Sequence, residues 1–397
     1  MKIVFFCIPA HGHTNPTLPV VRELVNRGHQ VWYYSYDLLR EKIEAAGATF
    51  VSCDPYDREQ ALTPQESARL GKDLAFSTQI LVDTTLALDD MVCSHMQDLR
   101  PDCIVADSMA VWGKAVAQKL GIPFVSSTTT FAFNQHSAKI MKQSPGQLFG
   151  MLFSMPRLKK EIKRLQSKGY PVKNVLDIIQ NDDKTHTVVY TSPGFQPCAD
   201  TFSPNHYAFV GPSIRPASGR VEKTRAQLVY VSMGTVNNDM IPLYQACIQG
   251  LSTLGCQVIL SVGSQVDPAR LGPLPGHMAV YPQVDQIAVL EQADAFLSHC
   301  GMNSASESLY FGVPLAMLPQ TSEQRGVAER IRQLGAGILL QETTPAAIAQ
   351  TVRTLLEAPT YRTQAKAIAR DFRSCPGPKG AADKILQVCG GEISSEN

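Results

Sequence analysis

The sequence predicts an α/β fold made of two doubly wound parallel-sheet domains. Three observations lead there. The chain has 397 residues, more than one ordinary core accommodates. Short apolar runs alternate with helical patterns, as in a parallel sheet covered on both faces. That alternation restarts at Gln227.

The first half opens with strand Lys2–Ile8 and a short loop. A helix follows, with Asn15 as its N-cap, Pro16 in the first helical position and Gly28 closing it. Strand Gln30–Tyr36, helix Leu38–Ala46 and strand Ala48–Cys53 come next, then a long helical stretch over Thr78–Leu99. Strand Asp102–Ala106, helix Val111–Leu120 with Gly121 behind it, and strand Ile122–Ser126 complete the alternation. In the second half, strand Leu228–Ser232 is followed by helix Met240–Leu254 and strands Gln257–Val262, Ala279–Tyr281 and Ala295–His299. Helix Asn303–Phe311, strand Pro314–Leu318 and helix Glu323–Leu334 then follow. Between the halves, GPSIRPASGRVEKT has two prolines, two glycines and no periodicity, which places a linker over residues 211–225. The expected domains are 1–210 and 226–377, with a segment 378–397 that is a candidate to return to the first domain as a helix over Pro378–Cys389.

Composition narrows the function. Hydrophobic residues make up 44% and charged residues 18%, a globular and not a disordered balance. With 36 basic and 35 acidic side chains the net charge is +1, so no field points to nucleic acid. Ten cysteines lie singly between Cys7 and Cys389 without a CxxC pair, which reads as reduced thiols in a cytosolic protein. The start MKIVFFCIPAHGH is too short in its apolar run for a signal peptide. No run approaches the roughly 18 apolar residues that span a bilayer. The expectation is a cytoplasmic protein that does not insert into membranes.

Doubly wound sheets bind ligands at the carboxyl ends of strands, where the strand order reverses. With an order 3-2-1-4-5, topology nominates four places: His11–His13 and Asp107 in the first half, Ser232–Thr235 and His299–Ser304 in the second. Strand AFLSH runs into CGMNSASESL, where Gly301 permits close backbone approach and Asn303 or Ser304 can cap the helix behind it. Free N–H groups and a partial positive charge at a helix N-terminus suit a diphosphate. The opposing SMGT loop adds Gly234 and the Thr235 hydroxyl. Glu307, a turn further on, can accept from both hydroxyls of a ribose. Short Gly/Ser turns before helices are common, so a well-capped helix with a solvated glutamate is the bland alternative.

These residues resemble a known family. The stretch HCGMNSASESLYFGVPLAMLPQTSEQ is similar to the nucleotide-sugar signature of the UDP-dependent glycosyltransferases of small molecules, closest to the bacterial macrolide- and flavonoid-type branch. Glu307 falls 8 positions after His299, and Glu323 and Gln324 fall 24 and 25 after it, as that pattern requires. Weaker likeness covers IPAHGHTNPTL, FQPCADTF and VSMGT, nearly the whole chain. The resemblance implies two facing Rossmann-like domains, the GT-B architecture, with the active site in the cleft between them. It implies that Thr235, His299, Gly301, Asn303 and Ser304 meet the diphosphate, Glu307 the ribose, and Glu323 with Gln324 the sugar hydroxyls. The family's Trp-x-Pro-Gln-like element departs here. Counting back from His299 selects Val284-Asp285-Gln286, with the Val284 backbone on the base and Gln283 where an aromatic ring usually stacks.

His13 follows the first strand and Asp107 the fourth. A neutral histidine takes a proton from a hydroxyl near neutral pH when a carboxylate fixes its tautomer and stabilises the imidazolium. In the resembled family the histidine of the GH dipeptide is the base and an aspartate at this strand end its partner; His11 is the rival. Helix capping by His13 and Asp107 is the plain alternative. No DxD and no metal-spaced His/Cys cluster occurs, so no metal or other cofactor is expected. The expected partners are a UDP-sugar and a small apolar hydroxylated acceptor, in a monomer or weak dimer. Segment Phe131–Met155, rich in Met and Phe, suits an adaptable apolar pocket or an ordinary core. Arg157–Lys168 holds six basic residues and one acidic, a solvated helix face or a weak membrane-surface patch. The function expected is inverting transfer of a hexose, with glucose first, to an acceptor of macrolide, flavonoid or sterol type. A UDP-sugar epimerase and a glycolipid-forming transferase are the alternatives.

Overall fold

The computed structural model describes residues 1–57, 62–67, 69, 73–140, 145–174, 177–178, 181, 184–234 and 239–390. The chain divides into two units, Ile214–Cys375 forming the second and the flanking segments the first.

The first unit holds seven strands: β1 (Lys2–Phe6), β2 (Gln30–Ser35), β3 (Thr49–Ser52), β4 (Cys103–Asp107), β5 (Phe124–Thr128), β6 (Thr187–Val189) and β7 (Tyr207–Phe209). Their order is β3-β2-β1-β4-β5-β6-β7, all parallel. Branched and flat apolar side chains suit a pleated surface, and β1 sits at the centre with four of its five residues buried. Successive side chains on a strand point to opposite faces. Ile3 and Phe5 therefore enter one core with Val20 and Leu24 of helix Leu18–Asn26 and Ala381 and Ile385 of helix Gly377–Val388. Val4 and Phe6 enter the other, with Val92 of helix Leu74–Leu99 and Val116 of helix Val111–Leu120. The last helix is thus part of the first unit's core, and Lys384 in it donates to the Asn205 carbonyl at 2.6 Å.

The second unit repeats the plan with β8 (Leu228–Ser232), β9 (Gln257–Ser261), β10 (Met278–Tyr281), β11 (Ala295–Ser298), β12 (Leu315–Met317) and β13 (Gly337–Leu339). The order is β10-β9-β8-β11-β12-β13, again parallel. Val229 and Val231 pack on one face against helices Ile241–Leu251 and Pro345–Glu357. On the other face Tyr230 stacks on Phe296 at 4.7 Å between ring centroids.

One expectation needs correction. Asn15 does not start a helix: helical backbone begins at His11 behind Ala10 and runs through a 3-10 turn, Asn15–Thr17, into Leu18–Asn26. The tight turn after β1 supplies the start that the Asn-Pro pair suggested four residues later. The linker expected over 211–225 is fastened along its second part, with Arg215 and Ser218 bound to Asp285, Lys223 to Asp294, and the Thr224 N–H to Gln257. The short strands β6, β7 and β13 carry too few residues for periodicity to show. Among the described residues no helix is long and apolar enough to cross a membrane, and the ten cysteines are free thiols.

Helix Val111–Leu120 lies tight on the sheet at Gly113. A Cβ there would stand 2.6 Å from that of Ala106 and 3.0 Å from Phe6. Gly113→Ala should therefore destabilise the protein by about 1–3 kcal/mol through overpacking, outweighing the roughly 1 kcal/mol gained in helix propensity. The urea midpoint of folding reads this, and an unchanged midpoint would show that the helix lifts from the sheet without cost.

Candidate active site

In the first unit, β1 and β4 are neighbours and end together, Phe6 pairing with Ala106. The turn after β1 brings His13 over the end of β4, and His13 Nδ1 lies 2.8 Å from Asp107 Oδ2. Asp107 is buried, and its other oxygen accepts the Met109 N–H at 2.9 Å. Thr129 Oγ1, from the end of β5, is 3.1 Å from the same His13 nitrogen. Both carboxylate oxygens are thus engaged, and His13 Nδ1 faces Asp107 and Thr129. Asp107 does not cap helix Val111–Leu120, whose N-cap is Ala110 with no side-chain bond. His11 has the opposite surroundings: its Nδ1 is 3.5 Å from Lys42 Nζ, and burial together with that cation holds its pKa down. Of the two histidines, only His13 has a carboxylate to stabilise its imidazolium.

In the second unit, β8, β11 and β12 end in register, Ser298 pairing with Ser232 and with Met317. Gly301 is the N-cap of helix Met302–Tyr310, with no side-chain capping bond. Asn303 and Ser304 therefore lie inside the first turn, and neither caps it, because the chain enters the helix one residue earlier than its polar residues suggest. His299 is clasped by two glycines: a Cβ at Gly234 would come within 2.7 Å of its ring and one at Gly301 within 2.6 Å. Gly234 also holds φ at +84°, a region that L side chains avoid. Thr235 lies outside the described residues, as does part of the Phe131–Met155 segment.

Glu307 is held from a neighbouring element. Gln286, at the start of helix Gln286–Leu290, donates from Nε2 to Glu307 Oε2 at 2.5 Å and to Ser304 Oγ at 3.3 Å. Burial raises the Glu307 carboxyl, against the Gln286 bond and the Arg215 charge. Val284 is half-buried just before this helix, and Gln283 is exposed. At the end of β12, Glu323 is exposed in the first turn of helix Ser322–Gln333. Gln324 takes part in a capping box: its Oε1 accepts the N–H groups of Gln320 at 2.7 Å and Thr321 at 3.2 Å. Sequence reasoning missed Thr129, Tyr230 and Arg215, which reach the site by tertiary contact from distant positions and carry no motif.

A family model described as the erythromycin biosynthesis protein CIII-like C-terminal domain matches residues 245–388. A UDP-glucosyltransferase of Bacillus subtilis, itself uncharacterised, is 29% identical over 100% of this chain and 99% of its own. Demethyllactenocin mycarosyltransferase of Streptomyces fradiae is 30% identical, covering 96% of this chain and 85% of its own length. The chain belongs to the bacterial UDP-dependent glycosyltransferases of macrolide type. Solved structures agree: the glycosyltransferase of kitacinnamycin superposes with a TM-score of 0.82 at 26% identity, over 98% of each chain. The calicheamicin glycosyltransferase does so at 0.81 and 27%, also over 98% of each. This glycosyltransferase therefore has the GT-B fold.

Burial holds the His299 imidazole of the glycosyltransferase at about 4, below its ordinary 6.5, with the Ser232 backbone opposing. It is neutral at neutral pH. Between pH 6.5 and 4 the unfolded chain binds the proton and the folded one does not, so the stability owed to His299 falls as pH drops through that window. NMR titration of labelled histidines should leave the His299 resonance unshifted from pH 8 to about 5. A midpoint at 6.5 would mean that the ring is solvated.

Proposed function

We propose that this transferase moves a hexose, glucose first, from UDP to a hydroxyl of a small apolar natural product, with inversion at the anomeric carbon. The His13–Asp107 pair is the observation that carries this reading. With Asp107 accepting the Nδ1–H, the Nε2 lone pair of His13 takes the acceptor's hydroxyl proton. The acceptor oxygen then bonds to the anomeric carbon as the bond to the UDP oxygen breaks, and UDP leaves with the electron pair. The imidazolium is stabilised by Asp107, a general-base arrangement. Because both Asp107 oxygens are engaged, it is not a nucleophile, and a single displacement gives inversion. The N-terminus of helix Met302–Tyr310, with Asn303 and Ser304 in its first turn, meets the developing diphosphate charge. Glu307 takes the ribose, and Glu323 with the Gln324 amide the sugar hydroxyls.

Two further observations support the acceptor class. Leu38, Met109 and Phe133, which follow β2, β4 and β5, are large apolar side chains exposed to solvent at 60%, 48% and 46%. Met109 is tied to Asp107, so an apolar acceptor can lie on it beside the base. Two relatives are named for glycosyl transfer with demethyllactenocin and oleandomycin. Since Gln283 supplies no stacking ring, affinity rests on ribose and diphosphate more than on the base.

His13→Ala should reduce transfer to an alkyl alcohol by about 10²–10⁴-fold while UDP affinity stays near wild type. A low-pKa thiophenol needs little help in losing its proton and should be spared. Equal losses on both acceptors would make His13 structural and move the base elsewhere. Metal independence is the companion expectation, since a helix end meets the charge that a metal would otherwise carry. Initial rates in EDTA should match those in magnesium, and activity lost in chelator and restored by metal would refute it.

A further inference from the structure

Glu307 accepts a 2.5 Å bond from Gln286, and Gln286 is itself fixed at both ends of its amide. Its Oε1 accepts from the buried Tyr230 hydroxyl at 3.3 Å, and its Nε2 faces Glu307 and Ser304. The position of Gln286 is set by Asp285, the N-cap of its helix, which accepts the Ile287 N–H at 3.2 Å. Asp285 in turn is bound by Arg215, by the Ser218 N–H at 2.5 Å and by the Ser218 hydroxyl at 2.6 Å. Burial disfavours its charge, but these bonds prevail and hold the carboxyl well below the usual range. An ionised carboxylate with that many donors is a fixed point.

We propose that Asp285 is a positioning residue for nucleotide recognition, through which Arg215 and Ser218 hold Gln286 so that its amide aims Glu307 at the ribose hydroxyls. The inference rests on the reading of Glu307 as the ribose ligand. Its consequence is selective. Loosening Asp285 frees Gln286 to rotate and lets Glu307 swing, which weakens the ribose contact and leaves the diphosphate contacts at helix Met302–Tyr310 intact.

Titration calorimetry with UDP and 2′,3′-dideoxy-UDP separates these effects. Hydrogen bonds to a charged group are worth about 1.5–3 kcal/mol, so wild type should prefer UDP by roughly 10- to 100-fold. Asp285→Ala should shrink that ratio to a few-fold while dideoxy-UDP affinity changes less than about twofold. Asp285→Asn, which keeps an acceptor for the Ile287 N–H, should restore most of the ratio. Arg215→Met leaves the helix cap untouched, so it should lower the ratio partway even if Asp285→Ala folds poorly. A wild type that binds both nucleotides equally overturns the ribose reading and this proposal together. A discriminating wild type whose ratio survives in Asp285→Ala and Arg215→Met overturns the proposal alone. So does an equal loss of both affinities, which would mark Asp285 as merely structural.

Discussion

A parallel sheet covered by helices on both faces has room for polar chemistry only where its strands stop. In the first unit Ile3, Val4, Phe5 and Phe6 are each at most 1% exposed, so no functional group can interrupt β1 without leaving an unsatisfied charge in an apolar core. The polar groups are displaced to the strand ends, where backbone hydrogen bonding ceases and side chains meet water and ligand. His13, Asp107 and Thr129 follow or end three adjacent strands in this way. Gly234, His299 and the Glu323-Gln324 pair stand at the ends of β8, β11 and β12 in the second unit. Within each unit, parallel register brings these strand ends to the same edge of the sheet.

Two histidines, one at a strand end in each unit, show how far surroundings divide one residue type. His13 has a buried carboxylate and a threonine hydroxyl at one ring nitrogen, so its positive form is stabilised when it gains a proton. His299 has two glycines pressed on its ring and burial that disfavours charge. The first is suited to shuttle a proton, the second to stay neutral at neutral pH. Exchanging their environments, with the residues unchanged, would exchange their chemistry.

The central strands and the helix after β11 were legible in the sequence because they are dense in apolar residues or bounded by glycine, which no other structure explains as well. The strand order assumed for the centre of each sheet, 3-2-1-4-5, is the one observed. What escaped was either too short or too distant. β6, β7 and β13 have three residues each, too few for a period. The helix at His11 begins with Gly12 in its first turn, a residue that weakens any helix signal. Asp285 looked like part of a base-binding register, and only tertiary structure shows Arg215, 70 positions away, bound to it. Family spacing located Gln286, yet nothing in the spacing says that its amide is gripped by Tyr230.

The return of the last helix to the first unit bears on how this chain is made. Residues 1–213 leave the ribosome without Ala381, Ile385 and Leu386, which cover the Ile3 and Phe5 face of the sheet. Part of that face, beside the Val20 and Leu24 helix, stays uncovered while the whole of 214–375 is synthesised, although the second unit is contiguous and has all its strands in hand. Vectorial synthesis therefore favours completion of the second unit before the first, the reverse of the order in which the two begin. A chain cut short after residue 375 would carry every residue of the candidate site, yet expose an apolar sheet face to chaperones and proteases.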